Sequence, residues 1–481
     1  MSKTRFMDYQ LGDELSKSIN MLGFESPTKV QEQVIPAVLE HKDVIVKSQT
    51  GSGKTAAFAI PICQLVDWEE NRPQALVVVP TRELALQVRE DIFNIGRFKR
   101  LKVAAIYGGT SSYNQEKELK QKTHVVVGTP GRIIDHIESG AFDTSNIKYL
   151  ILDEADEMLD MGFIEQVETV IARLPQEYVT ILLSATMPAD IKALCGKYMK
   201  APVQVEIEEQ NNTADRICQE RYEIKEMDKL SLLRDVTVVE NPDSCIIFCN
   251  TKQKVDQVHR ELIKLNYTCR KIHGGMEQSD RLKVMNAFKQ GHFRYLIATD
   301  VAARGIDIDN ITLVINYDIP QDGESYVHRI GRTGRIGKSG KAITFAAQNE
   351  NRLLTDIQRY MGKEILLRER PEKEKVNASK EEFVEKINTI PGIKEAKGAN
   401  LNKEIMKIHI NAGKKTKMRA VDIVGTICSI EGMTKADIGI INIVDVSTFV
   451  EILNNKGELV FSELQKTPIK GRLRIVSKVD I

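Results

Sequence analysis

No stretch of this chain is apolar for long enough to cross a bilayer as a helix, which takes about 20 residues. The opening, 1–9, lacks the apolar core of a secretory signal, so a cytoplasmic protein that needs no membrane is expected. Cysteine is sparse. Its seven copies show no paired spacing with histidine, so neither a structural zinc site nor a disulfide framework is expected. Cys245 and Cys249 read as plain core thiols of a reducing compartment. An excess of one charge is lacking too: 68 Lys+Arg against 67 Asp+Glu leave +1, with no overall polyanion-binding signature. What excess exists sits at the end, where 401–481 holds 13 basic and 9 acidic residues against 55 and 58 in the rest.

What is present describes a globular protein: 42% hydrophobic and 28% charged residues over a length that calls for two or three domains. Apolar runs at 43–46, 75–79, 103–107, 125–128, 149–152 and 180–183 alternate with helical stretches. That alternation predicts an α/β fold with a parallel sheet covered on both faces. After a polar linker the pattern returns at 245–248, 269–272, 295–298, 313–316 and 341–345. The expected organisation is a first doubly wound domain over 1–205, a linker over 206–218 and a second such domain over 219–363. A charged tether follows over 364–400, partly helical or flexible and with no evident strand. The last segment, 401–481, reads βαββαβ, a small α+β domain with helices on one face of its sheet.

Three motifs carry chemistry. The first is Ser48-Gln49-Thr50-Gly51-Ser52-Gly53-Lys54-Thr55, between an apolar strand and a helix. In that context backbone N–H groups and a helix N-terminus converge on one anion. Lys54 then reaches the outer phosphates of ATP, and the Thr55 hydroxyl ligates its Mg2+. Ser48 stands where the strict pattern has glycine.

The second is Asp153-Glu154-Ala155-Asp156, delivered at the C-terminal end of an apolar strand, where α/β sheets place ligands. Asp153 suits the magnesium, and Glu154 suits orienting and deprotonating a water. Alone these residues equally suit an acidic helix start; the upstream loop favours the catalytic reading. The third is His328-Arg329-Ile330-Gly331-Arg332-Thr333-Gly334-Arg335. Guanidinium forks suit the charge that builds on a γ-phosphoryl group in transfer. In isolation the segment also fits a basic surface turn. With Lys54 in the first domain and these arginines in the second, catalysis calls for both domains to close on one ATP.

With these motifs in order, residues 1 to about 363 resemble the DEAD-box RNA helicases, which implies two RecA-like domains. The resemblance implies that Gln31 reads the adenine edge with Phe24 or Phe6 packed nearby, and that Asp307 lies near the ribose. Thr81, Arg82, Gly109, Thr129 and Arg132 match the family's RNA contacts in the first domain, and Arg281 and Thr299 those in the second. Ser184 and Thr186, with Asp156, match the motif coupling hydrolysis to strand separation, while His328, Arg332 and Arg335 belong to the last motif, the two arginines serving as fingers on the γ-phosphate. Such contacts, made by threonines, arginines and glycine amides to phosphate and sugar, bind RNA without reading its sequence.

The C-terminal order βαββαβ resembles an RNA-recognition motif whose stacking surface is reduced to His409 and Phe449. A basic cluster, Lys414, Lys415 and Lys417, suits RNA docking through a loop, or a solvated charged rim. The whole arrangement is similar to the DbpA-type group. That implies a bacterial ATP-dependent helicase acting on a hairpin of large-subunit ribosomal RNA in pre-ribosomal particles; a monomer is expected because nothing reads as a coiled coil or a swapped strand. A general RNA chaperone or an ATP-locked clamp keeps the same motifs; a metabolic kinase shares only the phosphate loop.

Overall fold

The computed structural model describes residues 4–48, 51–207, 217–300, 311–334, 340–392 and 398–479. Gln49, Thr50, Asp307, Arg335 and most of the expected linker lie outside them. The chain divides into two compact units, Met1–Ile207 with Ala396–Ile481, and Glu208–Glu395.

In the first unit a seven-stranded parallel sheet runs β3 (Val103–Ile106), β4 (Val125–Gly128), β2 (Ala75–Val78), β5 (Tyr149–Leu152), β6 (Val179–Ser184), β1 (Val44–Lys47), β7 (Val203–Glu206). Six strands coincide with the apolar runs, because a strand covered on both faces must be apolar throughout. The seventh, Val203–Glu206, alternates apolar and polar residues as a half-covered edge does. Cores lie on both faces: Val44, Val46, Val77 and Ile151 on one, Ile45, Leu76, Val78, Leu150 and Leu152 on the other.

The second unit repeats the design in the order β10 (Cys269–Ile272), β11 (Tyr295–Ala298), β9 (Cys245–Phe248), β12 (Leu313–Asn316), β13 (Gly340–Ala346), β8 (Ile217–Glu223), β14 (Leu366–Arg368). Two of these strands, β8 and β14, fall outside the expected apolar runs. β8 is polar because its charges are paired within the sheet: buried Glu220 meets Lys341 and Arg368, each at 2.9 Å. Burial pushes the Glu220 carboxyl up, but these two cations outweigh it and hold it below the usual carboxylate range. β14 overlaps the apolar run Ile365-Leu366-Leu367 but leaves its three side chains exposed and pairs through its backbone at the sheet edge. The charged segment also contains the helix Lys373–Ile387, whose Phe383 and Ile387 enter the core beside Tyr267 and Tyr295. Cys245 and Cys249 are buried, and burial drives both thiols well up.

The C-terminal residues form an antiparallel sheet ordered β16 (Ile438–Ile443), β17 (Thr448–Ile452), β15 (Met406–Ile410), β18 (Val476–Val479). The helices Ala420–Cys428 and Gly457–Leu464 complete the βαββαβ order. Ile408, Ile410, Val450 and Ile452 point into a core with Ile423, Ile427, Val460 and Leu464. The alternate residues His409 and Phe449 are paired in register on the opposite face, with ring centroids 5.1 Å apart. The last strand begins at Val476, and Leu473 and Ile475 before it are exposed.

Candidate active site and RNA-contact surface

The phosphate loop follows β1, and the helix Lys54–Leu65 starts on its lysine. Gly53 takes a left-handed φ of 88°, and a Cβ there would meet the Gln31 amide nitrogen at 2.6 Å. Both facts require glycine. Gln31 donates from Nε2 to the Gly53 carbonyl at 3.2 Å, its Oε1 accepts from Thr28 N–H, and the Thr28 hydroxyl donates to the Ser52 carbonyl at 2.9 Å. The helix Lys29–Leu39 thus braces the loop from outside. Lys54 is buried, and its Nζ donates to the Ser48 carbonyl at 2.9 Å. Phe6 and Phe24 meet with ring centroids 6.2 Å apart.

Two strands away, β5 ends in Asp153, only 3% exposed. Burial pushes its carboxyl up, opposed by the Lys54 charge and by the Glu154 N–H that donates to it at 3.0 Å. Glu154 sits at φ 53°, ψ 53°, a left-handed conformation that a side chain adopts at a cost. It lies at the turn from strand to helix, immediately after Asp153.

β6 lies between β5 and β1, and its end ties the two pieces together. The Asp156 carboxylate accepts from Ala185 N–H at 2.9 Å, Thr186 N–H at 2.7 Å and the Thr186 hydroxyl at 3.1 Å. Asp156 N–H donates to the Ser184 hydroxyl, and Ser48 N–H donates to the Ser184 carbonyl at 3.0 Å. The three neighbouring strand ends are therefore one hydrogen-bonded assembly.

The donor set fits a nucleotide with its metal. A buried lysine that, among the described residues, donates to a loop carbonyl can turn to phosphate. A desolvated carboxylate beside it, with the half-buried Thr55 hydroxyl, suits a hard oxygen-seeking cation.

The other half of the same sheet edge collects the expected RNA contacts. Thr81 follows β2 and caps the next helix, accepting from Leu84 N–H at 3.2 Å. Arg82 packs on Gly109, where φ is 78° and any Cβ would collide with the guanidinium. Thr129 follows β4. Arg132 is held near Thr110 and Gln115, and Gln115 also bonds the buried His136 at 3.0 Å. Sequence reasoning passed over Gln115 and His136, which have no motif signal because they hold the expected contact residue Arg132 rather than being one.

In the second unit, Arg281 lies on the helix Gln278–Lys289 and Thr299 at the end of β11. His328 occupies the last turn of the helix Gly323–Ile330, and its carbonyl accepts from Arg332 Nε at 3.2 Å. Arg332 is buried. Arg329, not singled out in the sequence, is 2% exposed and grips the Asp300 carboxylate through Nε at 2.5 Å and Nη2 at 2.6 Å. It also donates to the Asp318 carbonyl and to Asn250. The basic motif thus mixes a structural arginine with functional candidates, and the grip on Asp300, Asn250 and the Asp318 carbonyl marks the structural one. Lys414, Lys415 and Lys417 are exposed on a one-turn helix and the residue after it.

The DEAD/DEAH box helicase family matches residues 28–194, the helicase conserved C-terminal domain 228–337, and the DbpA RNA binding domain 407–478. The ATP-dependent RNA helicase DbpA of Bacillus subtilis is 55% identical over 99% of this chain and 100% of its own length. A DEAD-box ATP-dependent RNA helicase CshA of Geobacillus kaustophilus is 46% identical over 74% of this chain and 76% of its own. Among solved structures, S. cerevisiae Dbp5 bound to RNA and ADP BeF3 is 32% identical with a TM-score of 0.71, covering 79% of this chain and 99% of that one. Mss116p bound to single-stranded RNA and AMP-PNP is 27% identical with a TM-score of 0.70, covering 81% and 83%. The chain belongs to the DEAD-box ATP-dependent RNA helicases, in the group that carries a DbpA-type RNA-binding domain after the helicase domains. No helix among the described residues is long and apolar enough to cross a membrane.

Proposed function

We propose that the protein uses ATP to separate short RNA duplexes in large-subunit ribosomal RNA during ribosome assembly, acting as a monomer in a bacterial cytoplasm. The observation that carries this reading is the DbpA RNA binding domain at 407–478, joined to a phosphate loop and carboxylate pair within one hydrogen-bonded assembly.

Lys54 exchanges the Ser48 carbonyl for the outer phosphates of ATP. Thr55 and Asp153 hold Mg2+, which supplies charge neutralisation on the phosphates when bound. Glu154 accepts a proton from the water that attacks the γ-phosphorus, and the products are ADP and inorganic phosphate. Arg332 and Arg335 balance the charge that develops on the transferred group, with His328 beside them. Gln31, Phe6 or Phe24, and Asp307 hold the base and ribose. Asp156 links the carboxylate strand end to Ser184 and Thr186, so a change at the phosphates is passed to the next strand. Thr81, Arg82, Gly109, Thr129, Arg132, Arg281 and Thr299 grip the RNA backbone. Lys414, Lys415 and Lys417 dock the target RNA.

ATP hydrolysis measured with no RNA, mixed-sequence RNA and large-subunit ribosomal RNA tests the reading. Stimulation by ribosomal RNA at concentrations where mixed RNA is inert is expected. Equal stimulation by any RNA would replace it with a general RNA chaperone, and RNA-independent turnover would overturn the helicase mechanism.

A further inference from the structure

The open face of the C-terminal sheet, where His409 and Phe449 stand, is turned towards the first helicase domain. Glu451, two residues along β17 from Phe449, reaches Arg97 at 3.3 Å, and Lys102 Nζ donates to the Ile441 carbonyl at 2.8 Å. Between the two surfaces lies a cleft of about 840 Å3.

Its walls are unlike either surface taken alone. Lys102, Lys117 and Lys122 come from the first domain, and Lys407, Lys414 and Phe449 from the C-terminal domain. Lys117 is matched by Asp445 at 3.4 Å. Glu118 and Glu451 also line the cleft, and Asp67, Glu69 and Glu70 act on Lys122, so the cations outnumber the acids without being free of them. Burial holds the Lys102 ammonium below its ordinary range, and the charges of Lys122 and Lys414 lower it further against the pull of Glu451. Lys407 stands 5.7 Å from the centre of the Phe449 ring. Cations that repel one another across a partly enclosed gap, beside an aromatic face, form a receptor for a polyanion with flat bases. A duplex is too wide for a cleft of this volume; a few unpaired nucleotides are not.

We propose that this cleft is an additional RNA site, in which an unpaired strand runs between the first helicase domain and the C-terminal domain, its phosphates on Lys102, Lys122, Lys407 and Lys414 and a base against Phe449. The proposal rests on the RNA-binding reading of the chain. It adds a composite site that neither domain forms alone, and it gives the docked sheet face a purpose.

The test uses the full chain and a fluorescent single-stranded RNA of mixed sequence, titrated over a range of salt. Lys122→Glu combined with Lys407→Glu places one reversal on each wall. Loss of the two contacts is expected to weaken binding at least about tenfold near 0.1 M salt. It is also expected to lower the slope of log affinity against log salt by about 1.4, at roughly 0.7 per phosphate. Lys122→Arg with Lys407→Arg keeps both charges and is expected to bind as the parent does, which separates charge from packing. Unchanged affinity and slope in the reversed pair overturn the cleft while leaving RNA binding elsewhere intact. Absence of RNA binding by the parent chain overturns the underlying reading instead. Equal loss in the arginine pair also overturns the proposal, because it assigns the effect to shape.

Discussion

Arg97 and Glu451 form an ion pair at 3.3 Å with their side chains only 4% and 8% exposed, joining the first helicase domain to the C-terminal domain. Burial lowers the guanidinium and raises the carboxyl against their mutual attraction, so desolvation outweighs attraction on both sides. Such a pair sets where the domain sits more than how tightly it is held. Arg97→Ala strands Glu451 and is expected to weaken docking by about 3 kcal/mol. Amide exchange in the helix Arg82–Ile95 and in β17 is then expected to accelerate about a hundredfold. Arg97→Met with Glu451→Leu is expected to restore protection.

Glu154 follows the strand end in a left-handed conformation, its N–H donating to the buried Asp153 carboxylate. Glu154→Gln removes the proton acceptor and keeps the shape. Hydrolysis is expected to fall about 10^2–10^4-fold, with nucleotide affinity within about twofold of the parent. Phosphate release and a fluorescent ATP analogue read the two quantities separately.

Asp156 accepts three hydrogen bonds from Ala185 and Thr186. Asp156→Asn turns one acceptor into a donor facing N–H groups, which is expected to cost about 1–3 kcal/mol in unfolding. Duplex separation is expected to fall further than RNA-stimulated hydrolysis; equal falls in both would deny the residue a coupling role.

Arg329 holds Asp300, Asn250 and the Asp318 carbonyl from a buried position. Arg329→Lys loses the fork and is expected to destabilise the second helicase unit by about 3–5 kcal/mol. Chemical denaturation followed by tyrosine fluorescence checks it, and an unchanged midpoint would show the network to be redundant.

His124 is buried, accepting at Nδ1 from Lys102 N–H at 2.8 Å and meeting the Trp68 carbonyl at 3.1 Å through Nε2. Burial, aided by Lys122 and Lys102, holds it down at about 4. Below its ordinary value near 6.5 the unfolded chain takes up a proton that the folded one refuses. Stability is therefore full above about pH 6.5 and falls as pH drops towards 4, by about 1.4 kcal/mol per unit. Between pH 6.5 and 5 the parent is expected to lose about 2 kcal/mol more than His124→Asn in urea unfolding.

Much of this was legible in order and spacing. The strand–loop–helix around Lys54, the apolar strand ending at Asp153 and the βαββαβ ending are local patterns, and local patterns write themselves into sequence. β8 was not legible because a strand held by Glu220, Lys341 and Arg368 needs no apolar run, and β14 because three residues within a charged segment are too short to show a period. Arg329 was hidden among arginines of the same motif, since burial is a property of neighbours rather than of the residue.

The sequence by itself determined the family, the two parallel sheets and which side chains are candidates for the phosphate chemistry, because these depend on residue type at short range. Only the tertiary structure decided that Asp156 ties three strand ends together, that Arg329 is a strut, and that the C-terminal sheet lays its aromatic face over a lysine-lined cleft. Each of these rests on residues dozens to hundreds of positions apart, and their partners are chosen by packing and desolvation, which no local pattern records.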